Sequence, residues 1–266
     1  MCRLLGIVSS EHTDFRFSLH EAPRSLARLS REHPDGWGIA VWDEETGWQV
    51  ERAPVCAALD GQFHATVVAS RGEVLLAHVR KRTVGVQNRE NTHPFRRGRW
   101  VFAHNGTIDQ LAFLERGTSS GRRSEIVGDT DSELLLAYLL TALDAVGAAE
   151  QPAGEAADQA LWRAVAAIHA QPDFGATNFL LSDGDVVYAH RAGRSLFLLD
   201  RGPGDPVQVR RRSAESGAVI DTPWTRRRRA VLVASERLSD EPWTELGEST
   251  LLRIDRRPEP GWHALG

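Results

Sequence analysis

The stretch Cys-Arg-Leu-Leu-Gly-Ile-Val at residues 2–8 places a cysteine directly ahead of a short apolar run. The run has the length and the apolar residues of a buried β-strand. Once Met1 is removed, the thiol and the free α-amino group of Cys2 are attached to the same carbon, so one residue supplies a nucleophile and its base. With reference pKa values of about 7.7–8.0 for the amine and about 8.5 for the thiol, the amine can accept the thiol proton near neutral pH. Free cysteines are also commonly buried, so Cys2 alone leaves a catalytic and a structural interpretation open.

Composition describes a globular chain of 266 residues, of which 41% are apolar and 26% are charged. Because no internal repeat or clear boundary interrupts it, we predict a single domain over residues 1–266. The net charge of −4 argues against a nucleic-acid partner. A run of 18 apolar residues and a signal-peptide pattern are both missing, which predicts a cytoplasmic protein with no membrane partner. Two cysteines, Cys2 and Cys56, do not make a disulfide framework.

The order of periodic segments predicts an α+β sandwich with hairpin-linked, largely antiparallel strands, and not a doubly wound parallel sheet. Strands are predicted at 3–8, 38–42, 48–52, 74–79, 100–104, 178–182, 186–191, 196–199, 207–211, 230–234 and 251–254. Helices are predicted at 22–31, 131–145 and 159–170. Thr130 and Glu133 have the spacing of a capping box at the start of the second helix.

Two polar segments follow predicted strands. Arg80 ends an apolar strand, and its planar guanidinium suits bidentate binding of a carboxylate. An arginine at a strand end can equally be a solvated side chain. The dipeptide Asn105-Gly106 follows another strand, where it is typical of a type I′ hairpin turn. An Asn amide and a Gly N–H can also converge on one oxygen as an oxyanion hole.

Two further segments carry residues that could bind a ligand. Asp131 lies in the first turn of a predicted helix, where the helix dipole favours any carboxylate. It could also hold a substrate ammonium group. Gly36 and Trp37 lie in a loop that enters a strand, where Trp37 could form a pocket wall or the segment could be an ordinary tight turn.

Five motifs occur in a fixed order: the cysteine at position 2, Asp-Gly-Trp-Gly at 35–38, His-x-Arg-x-x-Thr at 78–83, Asn-Thr-His-Pro-Phe at 91–95 followed by His-Asn-Gly at 104–106, and Asp-Thr-Asp-Ser-Glu at 129–133. Together they resemble the class II glutamine amidotransferases, most closely the stand-alone bacterial type that includes the amidohydrolase of ergothioneine biosynthesis. The resemblance covers residues 2–133. It implies the four-layer αββα sandwich of the N-terminal-nucleophile (Ntn) hydrolases.

The resemblance also implies roles for individual residues. Cys2 would be the nucleophile, and its own α-amine would be the base. Asn105 and Gly106 would form the oxyanion hole. The reaction would convert a γ-glutamyl amide, through a γ-glutamyl thioester, into glutamate and ammonia or an amine, without a cofactor or metal.

Substrate recognition is implied in the same way. Arg80, with the backbone around Thr83, would bind the α-carboxylate of the substrate, and Asp131 would bind its α-ammonium group. Gly36 and Trp37 would border the pocket. In the larger synthases a Trp usually follows this Arg, whereas this chain has Lys81. The residue that forms this part of the pocket wall is therefore not identified by the resemblance.

Several alternatives stay open at this point. The partner is a small-molecule γ-glutamyl amide, and the chain either hydrolyses it alone or feeds ammonia to a separate synthase. From other classes, the sequence admits a binding protein without turnover, an Ntn acylase or peptidase, and a metal hydrolase that uses His78, His93 and His104.

Overall fold

Two antiparallel β-sheets lie face to face, and the helices cover their outer faces. The computed structural model describes residues 2–203, 210–212, 219–221 and 228–266. Its strands are β1 (Arg3–Asp14), β2 (Gly36–Asp43), β3 (Gly47–Ala53), β4 (Arg71–Arg80), β5 (Phe95–Arg97), β6 (Trp100–Ile108), β7 (Gly175–Ser182), β8 (Val186–Arg191), β9 (Phe197–Arg201), β10 (Arg210–Arg212), β11 (Val219–Asp221), β12 (Ala230–Ala234), β13 (Thr244–Glu245), β14 (Thr250–Asp255) and β15 (Gly261–Leu265). Its α-helices are α1 (Leu26–Leu29), α2 (Gly61–Ala69), α3 (Leu111–Gly117), α4 (Ser120–Ser124), α5 (Asp131–Asp144) and α6 (Glu155–His169).

The strand order is β13-β9-β12-β1-β4-β2-β3 in the first sheet and β15-β14-β8-β7-β6-β5 in the second. Strands β10 and β11 form a separate pair. The first and last thirds of the chain meet in the first sheet, where β1 pairs with β12 on one side and with β4 on the other. Residues of the first third therefore depend on late strands for their position.

Three apolar clusters define the layers. The cluster between the sheets takes alternate residues from strands of both, including Leu4 and Val8 of β1 and Val101 and Ala103 of β6. The opposite face of the first sheet packs on the short N-terminal helices, and that of the second packs on α5 and α6. The period of two along each strand thus sorts apolar side chains into an inner and an outer core. The predicted αββα sandwich is confirmed.

Most of the predicted strands are present, while two predicted helices differ in extent. The helix predicted at 22–31 is reduced to α1 (Leu26–Leu29), because Pro23 interrupts the segment and Ser25 caps the helix by accepting a hydrogen bond from the N–H of Arg28. The helix predicted at 159–170 begins at Glu155. Of the strand predicted at 207–211, residues 207–209 lie outside the described part of the chain.

The hairpin-turn interpretation of Asn105-Gly106 is wrong. Strand β6 continues through both residues to Ile108, and Asn105 is opposite Asn178 of β7. The paired β7 backbone supplies hydrogen-bond partners on that side, so the dipeptide adopts extended conformation in place of a turn. Among the described residues, no helix is long and apolar enough to cross a membrane.

Gly38 in β2 lies against the segment that follows β4. A Cβ at this position would be 2.0 Å from the carbonyl oxygen of His93 and 2.7 Å from Cδ of Pro94. Such close approach of two backbone segments is possible only for glycine. At Gly61, the first residue of α2, a Cβ meets no atom within 4 Å.

We predict that Gly38→Ala lowers the free energy of unfolding by about 1–3 kcal/mol, because either strand β2 or the 92–94 backbone has to shift. Gly61→Ala is the matched control and should leave stability unchanged or raise it by up to about 1 kcal/mol. Urea unfolding of both variants measures the difference. Equal stability of the two would mean that the contact at Gly38 is not a constraint.

Candidate active site

The pairing of β1 with β4 positions Cys2. Arg3 is opposite Val79 in this pairing, so Cys2 lies beside the residues that follow Val79. The N–H of Lys81 donates to Sγ of Cys2 at 3.4 Å, and Sγ lies 3.5 Å from the carbonyl oxygen of Lys81. The thiol is half-buried at the end of the first sheet.

Cys2 opens onto a small cavity between the two sheets and the start of α5. The residues that line it are Cys2, Arg80, Lys81, Thr83, Val84, His93, His104, Gly106, Thr130, Asp131 and Ser132. Five residues predicted from the sequence are therefore brought together: Cys2, Arg80, Thr83, Gly106 and Asp131. They come from the residue before β1, from β4, β6 and α5, and from the loop after β4, so the fold assembles them from distant parts of the chain.

Arg80 is buried on the inner face of β4. Its guanidinium donates to the carbonyl oxygens of Val84 at 2.7 Å and Val86 at 3.1 Å. A guanidinium has five N–H donors, so these two bonds engage part of its capacity. Burial lowers the pKa of Arg80, and the nearby Cys2 opposes that effect.

Asp131 connects the start of α5 to strand β6. Its Oδ2 accepts a hydrogen bond from the N–H of Ile108 at 2.8 Å. Thr130 caps the helix as predicted, since its hydroxyl accepts from the N–H of Glu133. The capping box is not completed, because the Glu133 carboxylate accepts instead from the N–H of Gly128 at 2.6 Å. These bonds hold the Asp131 carboxylate at the cavity.

His104 and Ser132 form a hydrogen-bonded pair behind Asp131. The Nε2 of His104 lies 3.1 Å from the carbonyl oxygen of Ala176 and so donates to it, which leaves Nδ1 to accept from the Ser132 hydroxyl at 2.8 Å. The same hydroxyl lies 3.2 Å from Oδ1 of Asp131. One proton cannot serve both acceptors, and the shorter distance favours His104. Oδ1 of Asp131 therefore retains acceptor capacity toward the cavity.

Asn105 and Gly106 differ in their relation to the cavity. Gly106 lines it, and a Cβ there would be 1.8 Å from the carbonyl oxygen of Ala176. The buried Asn105 side chain donates to the Ser235 hydroxyl at 3.3 Å, and that hydroxyl accepts from the N–H of Leu4 at 2.9 Å. Asn105 is thus linked to the backbone of β1 two residues after Cys2.

Gly36 and Trp37 lie on opposite faces of β2. Gly36 is opposite Arg80 in the sheet, near the cavity. Trp37 points into the outer core, where its indole donates to Asp60 at 2.7 Å and its ring packs edge-on against Phe63. The structure does not bring the Trp37 side chain to Cys2, because successive residues of a strand point to opposite faces.

The sequence did not assign His104, Thr130 or Ser132 to the substrate site, although each lines the cavity; His93 lies in the loop 84–99, which we expected near the site as a selector of the group beyond the amide nitrogen. The motif Asn-Thr-His-Pro-Phe contained the signal for His93. Within residues 2–203, 210–212, 219–221 and 228–266, no group of three or more His, Cys, Asp or Glu side chains is arranged to hold a metal ion.

Burial controls the protonation of the site. It raises the pKa of the Cys2 thiol, and the hydrogen bond from Lys81 partly opposes the rise. The thiol is therefore protonated at neutral pH and needs a base. Burial lowers the pKa of His78 to about 3 and that of His93 well below its ordinary value, so both imidazoles are neutral.

Comparison with known proteins agrees with this geometry. The family model of the class II glutamine amidotransferases matches residues 1–258. A putative glutamine amidotransferase of Haemophilus influenzae is 31% identical over 208 residues, which cover 76% of this chain and 67% of the relative. The gamma-glutamyl-hercynylcysteine sulfoxide hydrolase of Mycobacterium tuberculosis (strain H37Rv) is 30% identical over 217 residues, covering 77% of this chain and 82% of that protein.

A crystal structure of a predicted glutamine amidotransferase from Pseudomonas aeruginosa superimposes with a TM-score of 0.67 at 23% identity, covering both chains fully, which supports the fold. The chain belongs to the class II glutamine amidotransferases, as its motifs predicted. It is an enzyme of the amidohydrolase type.

The buried His78 yields a prediction about pH. Its folded-state pKa of about 3 lies below the ordinary 6.5, so the unfolded chain binds the proton first. The neutral ring's contribution to stability is fully present above about pH 6.5 and is lost as the pH falls toward 3. We predict that His78→Phe makes the free energy of unfolding less dependent on pH between 6.5 and 4, by up to about 1.4 kcal/mol per pH unit. Urea unfolding at several pH values measures this slope, and an unchanged slope would exclude His78 as a neutral buried group.

Proposed function

We propose that this enzyme hydrolyses the γ-amide bond of a free glutamyl group, with Cys2 as nucleophile. The observation that carries the proposal is the meeting of the Cys2 thiol, the Arg80 guanidinium and the Asp131 carboxylate around one cavity. A γ-glutamyl group offers an electrophilic carbon, a carboxylate and an ammonium group. The three side chains match these three features in chemistry.

In the proposed reaction, the α-amine of Cys2, freed by removal of Met1, takes the thiol proton. The thiolate sulfur bonds to the γ-carbonyl carbon, and the C–N bond breaks as the leaving nitrogen receives that proton. Water then attacks the γ-glutamyl thioester, and the C–S bond breaks to give glutamate and the thiol. The raised pKa of the half-buried thiol supports the need for such a base.

Asn105 and Gly106 would stabilise the oxyanion. Gly106 lines the cavity, and the Asn105 side chain is buried on the inner face of β6. Two amide N–H groups aimed at one oxygen would be strengthened by the low dielectric of this site. The bond from Asn105 to Ser235 would orient the amide.

Arg80 and Asp131 would bind the two charged ends of the glutamyl group. The substrate carboxylate would accept from the Arg80 N–H groups that the bonds to the Val84 and Val86 carbonyls leave free. The backbone around Thr83 would assist in binding it. Oδ1 of Asp131 would accept from the substrate ammonium. A substrate that lacked either charge would leave Arg80 or Asp131 without its counter-ion and lose one charge-assisted contact.

For the physiological substrate we favour a γ-glutamyl conjugate. The support is the Mycobacterium tuberculosis relative, whose name assigns it a gamma-glutamyl-hercynylcysteine sulfoxide. A second candidate is a glutaminase that feeds ammonia to a separate synthase, which the Haemophilus influenzae relative's name favours. We further propose a single domain over residues 1–266 acting in the cytoplasm. The single domain is supported by the late strands, because β12 lies within the first sheet and β14 within the second.

The proposal predicts release of glutamate from L-glutamine or from γ-glutamyl dipeptides. Cys2→Ala should abolish the release, because no other group in the cavity can form the thioester. Cys56→Ala is the matched control: Cys56 contacts Ser30, outside the cavity, and its loss should leave turnover unchanged.

The assay follows glutamate by coupled oxidation. Together with a measurement of glutamate binding, it distinguishes the enzyme from a binding protein, since glutamate binding without turnover in the unmodified protein would indicate the latter. Turnover that survives in Cys2→Ala would remove the thiol from the mechanism.

A further inference from the structure

His93 is a buried polar group in the wall of the Cys2 cavity whose ring nitrogens have no partner. Its side chain is 4% exposed, and neither Nδ1 nor Nε2 makes a hydrogen bond to the described residues. His104, in the same wall, has both ring nitrogens bonded. His33 and His78 also have unpartnered ring nitrogens, but neither lines the cavity. Because buried polar groups in proteins are nearly always hydrogen-bonded, an unpartnered imidazole in the cavity wall points to a ligand.

The position of the ring indicates which part of a ligand it would meet. The His93 ring lies 4.5 Å from the His78 ring, centroid to centroid. His78 and Arg80 are two residues apart on the same inner face of β4, so His93 lies over the part of the strand that presents Arg80. Asp131 lies elsewhere, against Ile108 of β6. His93 is therefore on the side of the cavity where a carboxylate would bind.

The segment around His93 is held in place. The Arg52 guanidinium donates to the carbonyl oxygen of Thr92 at 2.7 Å, and the Thr92 hydroxyl donates to the carbonyl oxygen of Asn88 at 2.7 Å. On its other side, the His93 ring packs on Phe95 with centroids 4.3 Å apart. The His93 ring is thus held in the cavity wall by contacts that do not satisfy its nitrogens.

We propose that His93 donates a ring N–H to the α-carboxylate of the bound glutamyl group, beside Arg80. The inference rests on the proposed function and adds a specificity-determining residue to it. Burial keeps the imidazole neutral, so it offers one N–H donor without a second positive charge next to the guanidinium. Glutamyl groups with a free α-carboxylate are then the accepted class. A residue joined through that carboxylate in a peptide would remove the negative charge and one of the two acceptor oxygens that Arg80 and His93 would share.

The test compares His93→Phe with the unmodified enzyme on two amides. L-glutamine carries the α-carboxylate, and 4-aminobutanamide is the same molecule without it. His93→Phe keeps an aromatic ring between His78 and Phe95 but removes the donor. We expect kcat/KM for L-glutamine to fall about tenfold or more, mainly through KM, and kcat/KM for 4-aminobutanamide to change less than about twofold. His78→Phe is the control, because His78 does not line the cavity, and it should not discriminate between the two amides.

Calorimetric titration with L-glutamate and with 4-aminobutanoate gives a second readout that needs no turnover. His93→Phe should weaken binding of L-glutamate about tenfold or more and leave binding of 4-aminobutanoate unchanged. In the ¹⁵N-histidine-labelled unmodified enzyme, L-glutamate should move the imidazole N–H signal that is missing from His93→Phe. If that variant does not fold, the signal is assigned with His93→Gln.

The outcomes separate the two claims. Equal losses for both amides, or no loss for either, would overturn the role of His93 while leaving the proposed function intact. An imidazole spectrum unchanged by L-glutamate would do the same. An unmodified enzyme that neither binds L-glutamate nor hydrolyses L-glutamine would overturn the proposed function, and the inference with it.

Discussion

The antiparallel pairing of β1 with β4 is the interaction on which the rest of the site depends. It sets Cys2 at the end of one strand beside Arg80 and Lys81 at the end of the other. A shift of one residue would exchange the inner and outer faces of β1 and place a larger side chain where Gly6 lies against Leu180. The register that buries Leu5 and Ile7 in the outer core is therefore the register that places the thiol at the cavity.

The cavity lies near the ends of β4 and β6, where the inner faces of these strands change from apolar to polar. Along β4, Val74 and Leu76 belong to the core between the sheets, and the next inner positions are His78 and Arg80. Along β6, Val101 and Ala103 are followed by Asn105 on the same face. The core thus excludes water from one side of the site, and a low dielectric strengthens each charge-assisted hydrogen bond that a ligand makes there.

Much of this arrangement could be predicted from the sequence. The period of two in the strands and the N-cap residue Thr130 are local signals. Both predicted the observed structure correctly. Asn105-Gly106 shows the limit of local signals, because pairing with β7 overrides the turn preference of the dipeptide. Helix α2 was not predicted, since only Phe63 and Val67 of its residues are buried and its apolar pattern is weak.

The directions of side chains, and the buried polar groups that lack a hydrogen-bond partner, could be determined only from the structure. The glycines on either side of Trp37 suggested that its ring could form a pocket wall. In the structure, strand β2 directs the ring into the outer core. His93 is one of several polar residues in a loop, and its unpartnered nitrogens are visible only once its neighbours are in place. The motifs predicted five of the residues that meet at the cavity, but the direction of Trp37 and the missing partners of His93 are set by tertiary contacts.

The central claim is that Cys2 acts with its own α-amine, and the most direct test is to block that amine while keeping the thiol. The enzyme with a non-cleavable N-terminal extension is compared with the same enzyme tagged at the C-terminus, and glutamate release is measured for both. Mass spectrometry of the active fraction shows whether Met1 has been removed. The account predicts that the C-terminally tagged enzyme lacks Met1 and is active, while the extended enzyme is inactive. Full activity with the extension still attached would contradict the account, since the thiol would then use a different base.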